Sequence, residues 1–560
     1  MLPVRFLLIL IVLTLFSPGQ TQQSAPSQTS SQGLGKVLFP NSCAPAAQPA
    51  LLQGIAQLHS FQYAAAENAF TEASHFDAKC SIAFWGLAMS SYRPLWDGAD
   101  QKALNKGRHF LGEIQKDWPV SPREREYINA IGIIFSDNRR VGDERLAAYS
   151  QAMAEIARHY PDDGEAQAFY ALSLLALPHD DRKIREQAIA ILNKLMAAQP
   201  EHPGAVHYLI HAADTSELAP QGLEAARRYA KIAPDSSHAL HMPAHIFVRL
   251  GLWQESVNSN LAAAAAAAEA TKNHMGEPQY QFHAMDFLDF SYLQLGEEGK
   301  AQQVVEDLNK VTGASEKWIK NLRVILGTRN LLELHRWKEA LAFAPQGDPF
   351  EFQLVYALRS IAAARTGDVK AAEENYKDLK KAMKQQRGKE SRLEDYRRQE
   401  VEAWVAFAKG DSKKALKLMR SAADKQDQED SGDFTVPARE MLADMLMELH
   451  QPAQALAEYE SVLKISPNRF NDLYGAASAA QMAGDSNKAR NYSSKLRENC
   501  PPAADRPELR NVPFAAGGPA ELEKRQQRFT PAHHTSDVEE GVCSRGTEVS
   551  RALAGRFKQQ

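Results

Sequence analysis

One stretch, His202–Trp253, decides the fold: HPGAVHYLIHAADTSELAPQGLEAARRYAKIAPDSSHALHMPAHIFVRLGLW. It contains two helix-period segments with the same punctuation. Pro200 and Pro234 lie 34 residues apart, as do His207 and His241, and His211 and His245. A fixed period of this length marks a solenoid of helix pairs, in which each unit buries its apolar face only against its neighbours. Residues four apart share a helix face, so HYLIH and HMPAH can each aim two imidazoles at one spot. The repeat then sets the two spots side by side.

The same corner recurs outward from this stretch. GLWQES from Gly251, GEEGKA from Gly296, HRWKEA from His335, GDVKAA from Gly367, GDSKKA from Gly410, HQPAQA from His450 and GDSNKA from Gly484 all read as turns between paired helices. FQYAAAENAF from Phe61 fills that role early in the chain. Alternating β-type runs are nearly absent, and the alanine run Leu261–Ala270 favours a long helix. These features predict an all-α solenoid, with N-terminal repeats over 39–310 carrying a histidine-rich groove and further repeats over 311–500. Pro501-Pro502 and Gly517-Gly518-Pro519 then predict an irregular or disordered tail over 501–560.

A net charge of -4 and a pI near 6.5, with both signs interspersed, provide no basic footprint, so no nucleic-acid partner is expected. The N-terminus has Arg5, an apolar run from Phe6 to Phe16, then Ser17-Pro18-Gly19. That pattern predicts a signal peptide over 1–19, with an uncleaved anchor as the alternative. The run is shorter than the about 20 residues a spanning helix needs. A flexible linker is expected over 20–38, followed by an exported protein, periplasmic or secreted, with no membrane span after cleavage. Four cysteines in an oxidising compartment favour two disulfides. Chain order suggests Cys43–Cys80 and Cys500–Cys543, although four cysteines allow three pairings.

Aligned by their corners, the central repeats place His207, His241 and Asp286 at the fifth position of the first helix and His211 and His245 at the ninth. His238 and His283 take the second, where the preceding repeat has Gly204, and Asp214 stands at the twelfth. First helices line the concave face of such an array, so these eight residues form the expected ligand groove. Neutral imidazoles with a carboxylate suit zinc, copper, nickel or iron, and His207, His211, His241 and His245 are the candidate metal ligands. A polar, metal-free groove explains the same pattern if the histidines were duplicated with the repeat. Pro243 should kink its helix or start it late, and a late start would break the geometry of His241 and His245. Trp85, Met89 and Trp96 read either as core or as an aromatic subsite, and His59 and Arg249 are lesser groove candidates. No GxSxG, HExxH or Walker loop is present.

SCAPAAQ with LHSFQY, DAKCSIAFWGLAMS, HPGAVHYLIHAADTSELA, ARRYAKIAPDSSHALHMPAHIFVRLGLW and HAMDFLDFSYLQLG together resemble a family of exported bacterial tetratricopeptide-repeat proteins. The resemblance covers about residues 36–300. It implies fold and export but no reaction. Ala78 stands where the pattern has proline, and Ala244 where it has serine; neither change removes a candidate ligand. The expected function is a binding scaffold holding a protein, peptide or small ligand in its groove, without enzymatic activity. The alternative is a metal-binding protein or metal-dependent hydrolase with Asp214 or Asp286 as base. A lipid-anchored assembly factor lacks the cysteine it would need.

Overall fold

A computed structural model describes residues 33–95, 100–136, 142–178, 181–272, 278–385, 391–430 and 434–512. Among them the chain is helical throughout, with 25 α-helices, three short 3-10 turns and no strand. Consecutive helices pack as pairs, such as Gln48–His59 on Tyr63–Phe76 and Pro203–Ala213 on Ala219–Ile232. Each pair stacks on the next to make an α-solenoid. No helix among the described residues is long and apolar enough to cross a membrane.

All eight corners read from the sequence adopt the left-handed backbone, from φ 52° at His335 to 82° at Gly367. A left-handed residue after the last helical turn satisfies its free carbonyls and reverses the chain. Glycine does this without strain. Phe61, His335 and His450 do it at φ 54°, 52° and 55°, a conformation that costs about 1–3 kcal/mol for a residue with a Cβ. Phe61 is fully buried, so packing holds it there.

Several boundaries differ from the sequence reading. Residues 33–38 are packed, not linker: Leu34 and Val37 are buried, and the amides of Lys36 and Leu38 donate to Glu201 O (2.9 Å) and Glu165 Oε1 (3.2 Å). Two apolar side chains in a polar stretch suffice to dock it. The expected signal peptide over 1–19 lies outside the described residues. No break falls at 310, because one apolar cluster runs from Trp253 to Leu326. From 501 to 512 the chain is irregular but docked. Asp505 and Arg506 donate their amides to Gly296 O (2.9 and 3.1 Å), and Val512 is buried. Cys43 and Cys80 form a disulfide that ties the start of the fold to the second helix pair. Cys500 has no cysteine partner among the described residues; Cys543 and Trp96 lie outside them. Trp85 and Met89 belong to the core, where Trp85 packs on Phe39, Tyr127 and Phe169.

The array curls back on itself. Trp253 Nε1 donates to Asn468 O (2.8 Å), Asn468 Nδ2 donates to Gly251 O (3.2 Å), and Phe470 N donates to Gln294 Oε1 (3.0 Å). The C-terminal repeats therefore face the histidine-bearing ones.

Candidate metal centre

The helix Pro203–Ala213 begins where His202 Nδ1 accepts the Ala205 amide (3.1 Å) and Pro203 occupies the first turn. Gly204 lets it lie directly on His59: a Cβ there would stand 2.4 Å from His59 Nδ1. This close approach brings the His59 carbonyl against the helix, and His207 Nδ1 donates to it at 2.6 Å. The His207 proton is thereby committed to Nδ1, which leaves a lone pair on Nε2. That Nε2 lies 3.1 Å from His211 Nε2 and 3.0 Å from His238 Nε2. The three nitrogens form a first triad.

A second triad repeats the construction one unit on. His241 Nδ1 donates to Asn260 Oδ1 (2.7 Å), and the Asn260 amide nitrogen donates to Ser256 O (2.8 Å), so the amide orientation is fixed. His245 Nδ1 donates to Asp214 Oδ2 (2.9 Å). The Nε2 atoms of His241 and His245 then face each other at 3.0 Å. His283 completes the set, with its ring centroid 4.3 Å from that of His241 and 5.9 Å from that of His245. Both nitrogens of His283 are buried without a hydrogen-bond partner. Within each triad, one donor nitrogen per residue lies within 4.8 Å of the others.

Pro243 does break its helix, into Ser237–His241 and Pro243–Arg249, yet the histidine pair survives. The reason is Met242, which keeps right-handed helical angles (φ -52°, ψ -34°) across the break. The late start therefore does not disturb the pair, contrary to expectation.

Burial depresses the basicity of the imidazoles. The pKa of His207 falls to about 3 through burial, only partly offset by its bond to the His59 carbonyl, and that of His241 falls likewise to about 3. Burial, with repulsion from the neighbouring rings, carries His238 and His283 well below the usual value. Neutral imidazole is the form that binds metal. His211 and His245 are only half-buried and mark the side from which the cluster is reached.

The two expected carboxylates lie outside the triads, each paired with an arginine. Burial would raise the Asp214 carboxyl, but Arg249 and His245 outweigh it and hold the group well below its ordinary range. Arg249 Nε donates to Asp214 (3.0 Å) and Nη1 to Asp430 (2.6 Å), which clamps a residue 181 positions away. Asp286 pairs with Arg329 Nη1 (2.8 Å) instead of a histidine, and Arg329 also holds Asp289 (2.6 Å).

Two phenylalanines invisible to the histidine pattern complete the site. Phe61 lies 4.4, 5.5 and 5.7 Å, centroid to centroid, from His207, His211 and His238. Phe287 lies 4.7, 4.9 and 4.9 Å from His241, His245 and His283. Each triad thus has one aromatic ring against all three imidazoles. Phe434, from the C-terminal repeats, stacks on Phe290 and packs edge-on to Phe287, both at 4.5 Å. Seven of the eight groove residues therefore adjoin one another, Asp286 being held by Arg329, and the four candidate ligands divide into two sets. Each set is the fifth and ninth residues of one repeat with the second of the next. The register held that signal in His238 and His283; only the distance between helices could assign them.

No protein-family model matches the chain, and no curated protein matches it. Among solved structures the chain is similar to the APC/C hetero-tetramer Cut9-Hcn1 (13% identity, TM-score 0.33, covering 77% of this chain and 76% of that one). It is similar also to the human IFIT1 dimer with PPP-AAAA (12%, 0.34, 82% and 91%) and to NprR in complex with its cognate peptide NprX (11%, 0.37, 68% and 99%). At these distances the likenesses assign no site.

Proposed function

We propose that this protein binds transition-metal ions, one in each histidine triad, and works outside the cytoplasm. One observation carries the reading: His241 and His245 both spend their Nδ1 protons on fixed acceptors, so two Nε2 lone pairs point at each other across 3.0 Å. Two lone pairs that close repel unless a cation lies between them. Zinc bound tetrahedrally, with Zn–N bonds of about 2.0–2.1 Å, asks for nitrogens roughly 3.3–3.4 Å apart. Three protein ligands with a fourth position open is the arrangement of reactive metal sites, whereas structural sites are closed. The outer partners, Asp214, Asn260 and the His59 carbonyl, orient the rings as metal-binding histidines require. The Cys43–Cys80 disulfide and the N-terminal sequence pattern support an oxidising compartment.

Of the ligands a groove scaffold could take, a small one suits this position better than a protein or peptide. Asp430 and Phe434 of the chain itself already lie across it. The test is metal content of untagged protein, followed by zinc titration of the stripped form. Two ions per chain are expected, with one lost in His207→Ala and one in His241→Ala. Absence of binding in the wild type would end the proposal.

A further inference from the structure

The two triads adjoin, and each leaves a coordination position unfilled. His238 closes the first and His241 opens the second; both stand on the helix Ser237–His241, with ring centroids 6.5 Å apart. Ions at the two sites would share one small space, as in two-metal centres.

The donor set restricts which ions can share it. All six donors are imidazole nitrogens, with no thiolate or carboxylate among them. The nearby carboxylates come as two couples, Asp214 with Asp430 on Arg249, and Asp286 with Asp289 on Arg329. No carboxylate oxygen joins either triad, and each couple is held by its arginine. Among metals that imidazole binds, copper has a monovalent state within reach and stands at the top of the divalent affinity order.

We infer that the triads form a paired copper centre that binds dioxygen between its two ions, an inference that rests on the metal-binding reading above. Two copper(I) ions each give one electron to O2, yielding two copper(II) ions and one peroxide. The oxygen–oxygen bond order falls from two to one, copper–oxygen bonds form, and no proton is needed. Oxidation adds two positive charges and peroxide brings two negative ones, so the net charge of the site is unchanged. Phe61 and Phe287, one against each triad, offer an apolar wall to the bound gas.

The experiment loads metal-free full-length protein with copper(I) under anaerobic conditions and then admits measured oxygen. Two coppers per chain, one O2 consumed per two coppers, and loss of the electron paramagnetic resonance signal expected of isolated copper(II) would support the pair. His283→Ala and, from the other side, His211→Ala should each retain one tightly held copper and lose the two-to-one oxygen uptake. Agreement between them guards against a folding defect in either. Copper that stays monovalent in air, or copper(II) whose resonance accounts for every ion, would overturn the pairing while leaving metal binding intact. Zinc uptake without copper uptake would do the same, and uptake of neither metal would overturn the metal reading itself.

Discussion

The triads and the cluster of His59, Glu165 and His202 lie in neighbouring repeats, and both bury imidazoles, yet their bookkeeping of protons differs. In the second case a carboxylate lies between the two imidazoles, and of the ring nitrogens only His202 Nε2 lacks a hydrogen bond. His59 Nε2 donates to Glu165 Oε2 (2.5 Å) and His59 Nδ1 faces the Tyr208 hydroxyl (2.9 Å). His202 Nδ1 caps a helix, and its Nε2 lies 3.3 Å from Glu165 Oε1. Glu165 also holds the chain start, through the Leu38 amide, against the repeats. In the triads, donors meet donors' lone pairs, and the carboxylates nearby are engaged by arginines. A buried imidazole cluster that contains its own carboxylate reads as architecture; one whose nitrogens converge on each other, with both nitrogens of His283 unpartnered, reads as built for a ligand.

That contrast can be broken from either side. The largest effect is expected from His241→Ala, which should abolish binding at the second triad, a loss beyond the about 10–100-fold typical of outer-partner changes, with thermal stability of the metal-free form little altered. Calorimetric titration separates the two. Glu165→Gln should do the opposite: weakening hydrogen bonds to a buried carboxylate costs about 1.5–3 kcal/mol, read by urea denaturation, while ion stoichiometry at the second triad stays intact. If this variant lost the second ion, the two clusters would not be separable.

Asp214→Asn should lower affinity at the second triad by about 10–100-fold and leave the first unchanged, because only His245 depends on that carboxylate for its ring orientation. Equal weakening at both would show that Asp214 acts through overall charge. The smallest effect concerns pH. In metal-free protein His207 and His241 have folded pKa values of about 3 against 6.5 when free, so the unfolded chain binds more protons between those limits. Stability is then full above pH 6.5 and declines as pH falls toward 3, by up to about 2 kcal/mol per imidazole by about pH 5. Denaturation at the two pH values checks the sign.

Much of this was legible in the sequence because a repeat writes its geometry periodically. The eight corners, from Phe61 to Gly484, were readable since a left-handed residue and a small helix-pairing residue recur at fixed offsets. Positions two, five and nine were readable for the same reason. What the period cannot state is contact between repeats: His238 belongs with His207 rather than His241 because of how far apart adjacent helices lie. Nor can it state contacts across the curl, such as Arg249 with Asp430 or Phe287 with Phe434. Asp286 shows the limit most plainly. It shares the register of His207 and His241, but Arg329, 43 residues on, claims it.

Anomalous diffraction from crystals of the metal-loaded protein, recorded at the absorption edge of the bound element, tests the central claim most directly. The account predicts two peaks, one about 2.0–2.1 Å from Nε2 of His207, His211 and His238 and the other equally placed among His241, His245 and His283. Peaks elsewhere, or an empty site in protein that retains its metal, would contradict it.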